Sequence, residues 1–264
     1  VAKYSADTRE TEKYGARPIK RRVTDLIENE LASMIITKEI RCGDSIQTEF
    51  VDGKIRFSLN MSNIFSEIKD DNLQKILSFI VEVDKIKNIM RRTLLVDGSR
   101  RENDAEHSWH LAIMAMLLTE YADDKNFTLD KVLKMVIVHD LVEIYAGDTF
   151  AFDVKGNLEK EDKEKQAADK LFGQLPFNQG KQLRKLWEEF DEAKTPEARY
   201  AAALDRLQPF IHNLCTEGHT WVLGKVTKEQ VYKRSGLAME VLPALKPWME
   251  EQINDAIKKG WISE

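Results

Sequence analysis

Cysteine is scarce in this sequence of 264 residues, which has only two, Cys42 and Cys215. Two cysteines so far apart form neither the disulfide framework of a small secreted domain nor a C-x-x-C metal site. We therefore expect a chain that folds in a reducing cytoplasm. The hydrophobic share of 42% and the charged share of 32% are those of an ordinary globular protein.

Long apolar runs and an excess of positive charge are also absent. No run reaches the roughly 18 apolar residues of a membrane-spanning helix, so we expect no membrane partner. Lysine and arginine number 40 against 45 aspartates and glutamates, which gives a formal net charge of −5. A chain with this charge has no overall positive field to attract nucleic acid, and we do not expect nucleic acid as a partner.

Two catalytic motifs are missing as well. The sequence contains no G-x-x-x-x-G-K-[ST] phosphate-binding loop, which excludes an ATPase of that type. It also has no serine or cysteine in a recognisable nucleophile elbow. The sequence therefore gives no support to catalysis through a covalent serine or cysteine intermediate of that type.

The sequence of residues 1–59 predicts a small α+β segment, in which a helix is followed by a hairpin. Apolar residues recur at three- and four-residue spacing over Ile19–Ile35, which is typical of an amphipathic helix. Asp52-Gly53 lies between Ser45–Val51 and Lys54–Leu59 and favours a two-residue turn that joins them as paired strands. Residues 60–71 are polar and irregular, and we expect them to form a linker.

The stretch from Tyr14 to Phe57, YGARPIKRRVTDLIENELASMIITKEIRCGDSIQTEFVDGKIRF, resembles the C-terminal small subdomain of Clp-type AAA+ ATPases. The resemblance covers about residues 2–58. In those ATPases the arginine of the GAR-P motif senses nucleotide, and it would correspond to Arg17. Because the chain lacks the phosphate-binding loop, we do not transfer nucleotide sensing to Arg17.

From residue 72 to the end, the sequence predicts one helix after another. Apolar residues follow helical spacing over 73–90 and over 129–145, among other segments. No alternation with a period of two appears after Leu59, which predicts no further strand. The expected fold class is therefore mainly α over residues 72–264, preceded by the small α+β segment.

Four residues in apolar helical segments are candidate metal ligands: His107, His139, Asp140 and Asp205. The pair His139-Asp140 lies in a helix that is apolar on nearly every face, and such a pair is costly to bury unless both members are satisfied. One alternative is a buried hydrogen-bonded pair with no metal. Two imidazoles and two carboxylates suit one divalent metal ion, such as Mn, Co, Fe, Ni, Mg or Zn.

Glu143 and Asp148 are the candidate catalytic residues. Glu143 follows His139 by four residues and Asp140 by three, so it would share their helical face and could orient or deprotonate a water. Asp148 follows Gly147, which could turn the chain back toward the site. The alternatives are an exposed surface carboxylate for Glu143 and a turn residue for Asp148.

Two further histidines are expected to have a structural role. His110 follows His107 by three residues, and His212 follows Asp205 by seven, so each shares a helical face with a candidate ligand. We expect both to be hydrogen-bonded in the core or beside the site rather than to touch substrate.

The order of His107, His139-Asp140 and Asp205 resembles the H…HD…D signature of HD-domain metal phosphohydrolases, over about residues 72–245. Two longer motifs resemble the branch that contains bacterial 5′-deoxynucleotidases. They are E-N-x-x-E-H-S, which begins at Glu102, and H-D-x-x-E-x-x-x-G-D, which begins at His139. The resemblance implies an HD-domain helical bundle whose four signature residues bind the metal.

The same resemblance implies roles around the metal. Glu143 and Asp148 would position the attacking water, and Arg92, fifteen residues before the first histidine, would contact the phosphate. The branch usually carries an aromatic residue next, near the sugar, whereas this chain has Thr93. Three further arginines are expected near the mouth of the site, with a solvated surface as the alternative: Arg91, Arg100 and Arg101.

The sequence thus predicts a metal-dependent phosphomonoesterase. It would release phosphate from a nucleoside monophosphate, or a similar small phosphorylated metabolite, by attack of metal-activated water. One alternative is a non-catalytic module that senses nucleotide or docks on a partner. Another is a different HD activity, such as triphosphohydrolysis or alarmone hydrolysis. The resemblance also implies a homodimer.

Overall fold

The structure is a computed structural model, and it describes residues 24–36, 46–51, 54–59, 64–148, 150, 152 and 154–264. The chain divides into two compact units, residues 1–74 and 75–264. The boundaries predicted at residues 59 and 71 stay predictions. The prediction about Arg17, the start of the first helix and the turn at 52–53 lie outside the described residues.

In the first unit, a π-helical turn at Thr24–Glu28 continues into helix α1, Asn29–Ile36. Strands β1, Ile46–Val51, and β2, Lys54–Leu59, pair antiparallel, and Val51 is opposite Lys54. The predicted hairpin is therefore confirmed, with a register in which two residues join the strands.

A short β-ribbon in the second unit corrects the sequence-based prediction. Helix α2, Asp71–Val83, is followed by a 3-10 turn rather than by the helix predicted up to residue 90. Strand β3, Met90–Leu94, then pairs antiparallel with β4, Arg101–Asn103. Met-Arg-Arg-Thr-Leu of β3 does not alternate between apolar and polar residues, and the three residues of β4 are too few to show a period of two.

The remainder of the second unit is helical, as predicted. Helix α8 lies at its centre and packs against α3, α4, α7 and α10. Its consecutive buried alanines, Ala201–Ala203, leave room for these neighbours to approach closely. The helices are α3 Asp104–Leu117, α4 Leu129–Val138, α5 Glu143–Ala146, α6 Val154–Phe172, α7 Phe177–Glu192, α8 Pro196–Cys215, α9 His219–Gly224, α10 Lys228–Val241 and α11 Lys246–Lys258.

Two groups of buried apolar side chains hold these helices together. The larger joins α3, α4, α8, α10 and α11 through residues such as Leu111, Met135, Leu204 and Ile253. The smaller joins α2, α6 and α7 around Leu171 and Trp187. Among the described residues, no helix is both long enough and apolar enough to cross a membrane.

The helix predicted over 129–145 is interrupted between α4 and α5. His139 Nδ1 lies 2.9 Å from the backbone oxygen of Val136. A continuing α-helix would pair that oxygen with the N–H of Asp140. The Glu143 N–H then bonds the Asp140 carbonyl, three residues earlier, at 2.9 Å. Residues three apart are eclipsed in so tight a turn, and therefore Asp140 and Glu143 share a face.

Candidate metal centre and substrate cavity

Reciprocal hydrogen bonds at the start of α3 position His107 in its first turn. Asn103 Oδ1 accepts from the Glu106 N–H at 2.9 Å, and Glu106 Oε2 accepts from the Asn103 N–H at 3.2 Å. This capping box accounts for the Asn and the second Glu of the first motif. Arg100 donates to both carboxylate oxygens of Glu106, at 2.8 and 2.6 Å, on the exposed side of the helix.

The structure brings the four candidate ligands together. His107 Nε2 lies 3.1 Å from Asp205 Oδ1 and 4.0 Å from Asp140 Oδ2. His139 Nε2 lies 3.1 Å from Asp140 Oδ1 and 3.9 Å from Asp205 Oδ1. Ligand atoms of His107, His139 and Asp140 all lie within 4.8 Å of one another, and Asp205 on helix α8 approaches both imidazole nitrogens.

The hydrogen bonding of His139 fits a metal ion at this point. The Val136 carbonyl can only accept, so Nδ1 of His139 donates to it, and in the neutral ring Nε2 is then the nitrogen that can bind a metal. Nε2 is fully buried and has no hydrogen-bond partner. A buried lone pair facing the Asp140 carboxylate is unfavourable without a cation. Histidines that bind metal are commonly held in this way, with the other ring nitrogen on a backbone carbonyl.

Glu102 lies beside Nδ1 of His107, the ring nitrogen that is not directed at Asp205. His107 is fully buried, and its Nδ1 lies 3.7 Å from Glu102 Oε2. Burial and Arg91 lower the pKa of His107, but the carboxylates of Asp205 and Glu102 outweigh them and raise it to about 9. A carboxylate behind a ligand histidine fixes the orientation of the ring and increases its basicity.

Arg91 is a largely buried cation among the carboxylates and lines the cavity, so the solvated-surface alternative is wrong for it. Its side chain is 12% exposed. Nη1 donates to Asp140 Oδ2 at 2.7 Å and to Asp104 Oδ1 at 3.3 Å, and Nη2 lies 4.0 Å from Asp205 Oδ1. Burial would lower the pKa of Arg91, but Asp140 and Asp205 raise it.

Two further carboxyl groups close to Arg91, those of Asp104 and Glu143, have raised pKa values. Burial and the neighbouring Asp140 raise the pKa of Asp104 to about 7. Burial, Asp140 and Asp104 raise the pKa of Glu143 well above its usual value. Shifts of this kind arise when buried carboxylates lack compensating positive charge. A divalent ion would supply that charge, which is a second reason why the residues present fit one.

Glu143 and Asp148 line the same cavity as Asp140, and its volume is about 230 Å³. Glu143 is 5% exposed and its Oε2 has no partner, so the surface-carboxylate alternative is wrong. Gly147 has φ 77° and ψ 153°, a conformation that glycine adopts readily, and it turns the chain from α5 to Asp148. The catalytic roles of the two carboxylates stay predictions.

Arginines form another part of the cavity wall. The Arg92 guanidinium lies 4.6 Å from the centre of the Phe150 ring. Arg234 Nη2 donates to Asp205 Oδ2 at 2.8 Å. Burial alone would raise the pKa of Asp205, but Arg234 and His107 hold it well below its usual value. With Arg91 and Arg206, four guanidinium groups line the cavity.

Aromatic rings complete the wall. The Phe190 ring lies 4.6 Å from the ring of His139, centre to centre. Thr93 is 8% exposed and also lines the cavity, where the resemblance places the sugar. The cavity thus combines charged and aromatic lining residues. The aromatic lining residues are Phe150, Phe152, Trp187, Phe190, Phe210 and Trp221.

The sequence did not single out Asp104, Arg206 or Arg234. Asp104 is adjacent to the capping-box asparagine, which is the only local signal that it carries. Arg206 and Arg234 belong to α8 and α10, which the packing of the core brings together. Arg101 is exposed and does not line the cavity.

A helical domain with two buried histidines and two aspartates around one point is the class that the HD signature describes. Residues 83–246, more than half of the chain, match the family model of the HD domain. The chain therefore belongs to the HD-domain family. Residues 1–48 match the C-terminal, D2-small domain of ClpB protein, which confirms the resemblance seen in the first segment.

Individual relatives agree with this assignment. The crystal structure of a predicted metal-dependent phosphohydrolase from Magnetospirillum magnetotacticum MS-1 is 44% identical and has a TM-score of 0.70, over 75% of this chain and 98% of that one. The 5′-deoxynucleotidase HDDC2 of Xenopus laevis is 29% identical over 142 residues, 53% of this chain and 69% of the relative. That of Dictyostelium discoideum is 30% identical over 137 residues, 50% and 72% of the two chains. The predicted class, metal-dependent phosphohydrolase, is confirmed.

Proposed function

We propose that this chain hydrolyses nucleoside 5′-monophosphates to nucleoside and phosphate, with one divalent metal ion as cofactor. The observation that carries the proposal is the buried Nε2 of His139, which has no hydrogen-bond partner and lies 3.1 Å from Asp140 Oδ1 and 3.9 Å from Asp205 Oδ1. The relatives named 5′-deoxynucleotidase support a nucleotide substrate.

The metal would be held by His107, His139, Asp140 and Asp205, and Mn, Co, Fe, Ni, Mg and Zn all accept ligands of these types. When bound, such an ion makes a water molecule more acidic and polarises the phosphoryl group. Glu102 keeps the ring of His107 in the orientation that ligation requires.

Proton transfer would be carried by the carboxylates beside Asp140. The oxygen of water forms a bond to phosphorus while the bond from phosphorus to the ester oxygen breaks. Glu143 has a buried oxygen without a partner, so it can accept the proton of the attacking water and return it to the departing ester oxygen. Asp148 lines the same cavity and would orient the water.

Substrate binding would use the arginines and the aromatic wall. Arg92 lines the cavity from its place over Phe150, and it can donate two hydrogen bonds to non-bridging phosphate oxygens. Arg206 adds positive charge to the same wall. The aromatic rings that line the same cavity offer a surface for the base or the sugar.

Phosphate release by the full chain tests this function. The protein is stripped of metal, reloaded with Mn²⁺ or Co²⁺, and offered deoxyribonucleoside and ribonucleoside 5′-monophosphates, with glucose 6-phosphate as a comparison. We expect metal-dependent release from the nucleotides, its loss in Asp140→Ala, and its retention in Asp162→Ala, which changes an exposed aspartate. Release from glucose 6-phosphate alone, or none from a metal-loaded chain, would contradict the proposal.

We also propose that the chain forms a homodimer in the cytoplasm. Trp109, Met116 and Leu117 are 66%, 46% and 70% exposed, and their spacing places them on one face of α3. Such a face supports an interface between copies. Light scattering on the purified chain tests it, and a monomer at micromolar concentration would contradict it.

A further inference from the structure

Glu102 has a second oxygen that faces a separate group of polar side chains. Gln208 Nε2 lies 2.7 Å from Glu102 Oε1, 3.0 Å from His212 Nε2 and 3.3 Å from His110 Nδ1. Ligand atoms of Glu102, His110 and His212 all lie within 4.8 Å of one another. The proposed hydrolysis gives no role to either histidine or to Gln208.

Hydrogen bonding alone does not satisfy this group. His212 Nδ1 lies 2.9 Å from the backbone oxygen of Leu94, so Nδ1 carries the proton and Nε2 has a lone pair. The Glu102 carboxylate accepts only, and His110 Nδ1 faces an N–H group, so it accepts as well. Three acceptors therefore surround an amide nitrogen that has two hydrogens.

The other end of the amide is also unsatisfied. Gln208 is fully buried, and its Oε1 has no hydrogen-bond partner. Rotating the side-chain amide of Gln208 by half a turn exchanges the positions of its oxygen and nitrogen. The oxygen then faces Glu102, His110 and His212. Four lone pairs, from two imidazoles, a carboxylate and an amide, would then converge without a donor between them.

We propose that Glu102, His110, Gln208 and His212 form a second metal site, which binds a transition-metal ion such as Zn²⁺. Two nitrogen and two oxygen ligands suit the four-coordinate geometry of zinc. Imidazole ligands favour transition metals, whereas Mg²⁺ prefers oxygen ligands and keeps several waters. The Leu94 carbonyl holds the tautomer of His212 that this ligation requires.

This second ion would have a structural role. It would hold the Glu102 carboxylate, whose Oε2 lies 3.7 Å from His107 Nδ1, and so keep His107 oriented. Glu102, Gln208 and His212 are at most 2% exposed, whereas His110 is half-buried and gives the ion a route from the surface. The site therefore has a buried ligand set and one accessible edge.

Metal counting on the full-length chain tests the second site. The metal-stripped protein is equilibrated with Zn²⁺ alone or Co²⁺ alone, desalted and analysed for metal content, with visible absorption as a second readout for Co²⁺. We expect two ions in the unmodified chain, one in Asp140→Ala, one in His110→Ala and none in the double variant. His219→Ala changes a half-buried histidine outside both sites and should retain two.

The proposal is overturned if the unmodified chain binds one ion and Asp140→Ala binds none. It is also overturned if His110→Ala retains both ions. Circular dichroism checks the folding of each variant. If His110→Ala does not fold, His110→Phe provides the test, because it retains an aromatic ring of similar size but has no ring nitrogen. This substitution should lower the affinity for the second ion at least about tenfold. A loss of that size is the smallest expected even for a residue that only hydrogen-bonds a ligand.

Discussion

Arg91 Nη1 donates a hydrogen bond of 2.7 Å to Asp140 Oδ2, which places a side-chain cation against a carboxylate that also faces His139. The same guanidinium bonds Asp104 at 3.3 Å. A divalent ion bound at the proposed centre would compensate the negative charge of the same carboxylates that Arg91 now contacts. The contribution of Arg91 to stability should therefore be largest when the metal is absent.

Arg91→Met tests this relationship. Removing one partner of a buried ion pair leaves an uncompensated charge and costs about 3–5 kcal/mol of unfolding free energy. We expect a loss of this size in the metal-free protein and a smaller loss with saturating Mn²⁺, measured by urea unfolding. Arg101→Met, which changes an exposed arginine, should alter neither value by more than about 0.5 kcal/mol. Equal losses with and without metal would show that Arg91 and the ion do not share this role.

Asp140→Ala should remove the ion at the main centre. The substitution deletes a carboxylate that lies 3.1 Å from His139 Nε2. For the unmodified chain, Mn²⁺ at about 100 times its dissociation constant should add about 2.7 kcal/mol of stability. Thermal unfolding should show most of this gain in Asp162→Ala and little in Asp140→Ala. A full gain in Asp140→Ala would place the Mn²⁺ site elsewhere.

Glu143→Gln should retain the metal and lose catalysis. The amide has nearly the same shape as the carboxylate but does not accept a proton from water. General bases contribute typically about 10²–10⁴-fold, so kcat should fall within that range. Steady-state kinetics and metal analysis on the same preparation check it. Unchanged kcat at full metal content would leave Asp148 as the better candidate for the base.

Arg92→Ala should weaken substrate binding more than Arg101→Ala. Arg92 lines the cavity and is held over Phe150, whereas Arg101 does not line the cavity. A contact equally strong in ground and transition states raises KM alone, and a contact that tightens as charge develops lowers kcat. Kinetics on both variants separate these cases. Equal KM and kcat in Arg92→Ala and the unmodified chain would refute the phosphate contact.

Gly147→Ala should destabilise the chain because its backbone conformation, φ 77° and ψ 153°, is rarely adopted by other residues. Strain of this kind costs about 1–3 kcal/mol. Displacement of Asp148 should lower kcat as well. Gly236→Ala is the matched control, since a Cβ there meets nothing within 4 Å inside helix α10, and alanine should add about 0.5–1 kcal/mol. Unfolding in urea measures both.

The interruption at His139 shows where the sequence-based prediction stopped being sufficient. The apolar run before it correctly indicates a buried helix, because periodicity reports which faces avoid water. At the helix end, His139 Nδ1 lies 2.9 Å from the Val136 carbonyl oxygen, a side-chain contact that periodicity does not report. In the neutral ring the same contact leaves Nε2 available to a metal, and a pattern of residue types does not contain it.

The sequence by itself determined the helical character of the second unit, the first hairpin and the four residues that meet at the proposed metal centre. These features depend on local spacing and on an ordered set of residue types.

Tertiary structure decided that Arg91 is buried between Asp140 and Asp104, and that Arg234 reaches Asp205 from another helix. It also decided that Gln208 meets Glu102 and two histidines. The physical reason is that these contacts join residues far apart in the chain, and their geometry is set by how the helices pack.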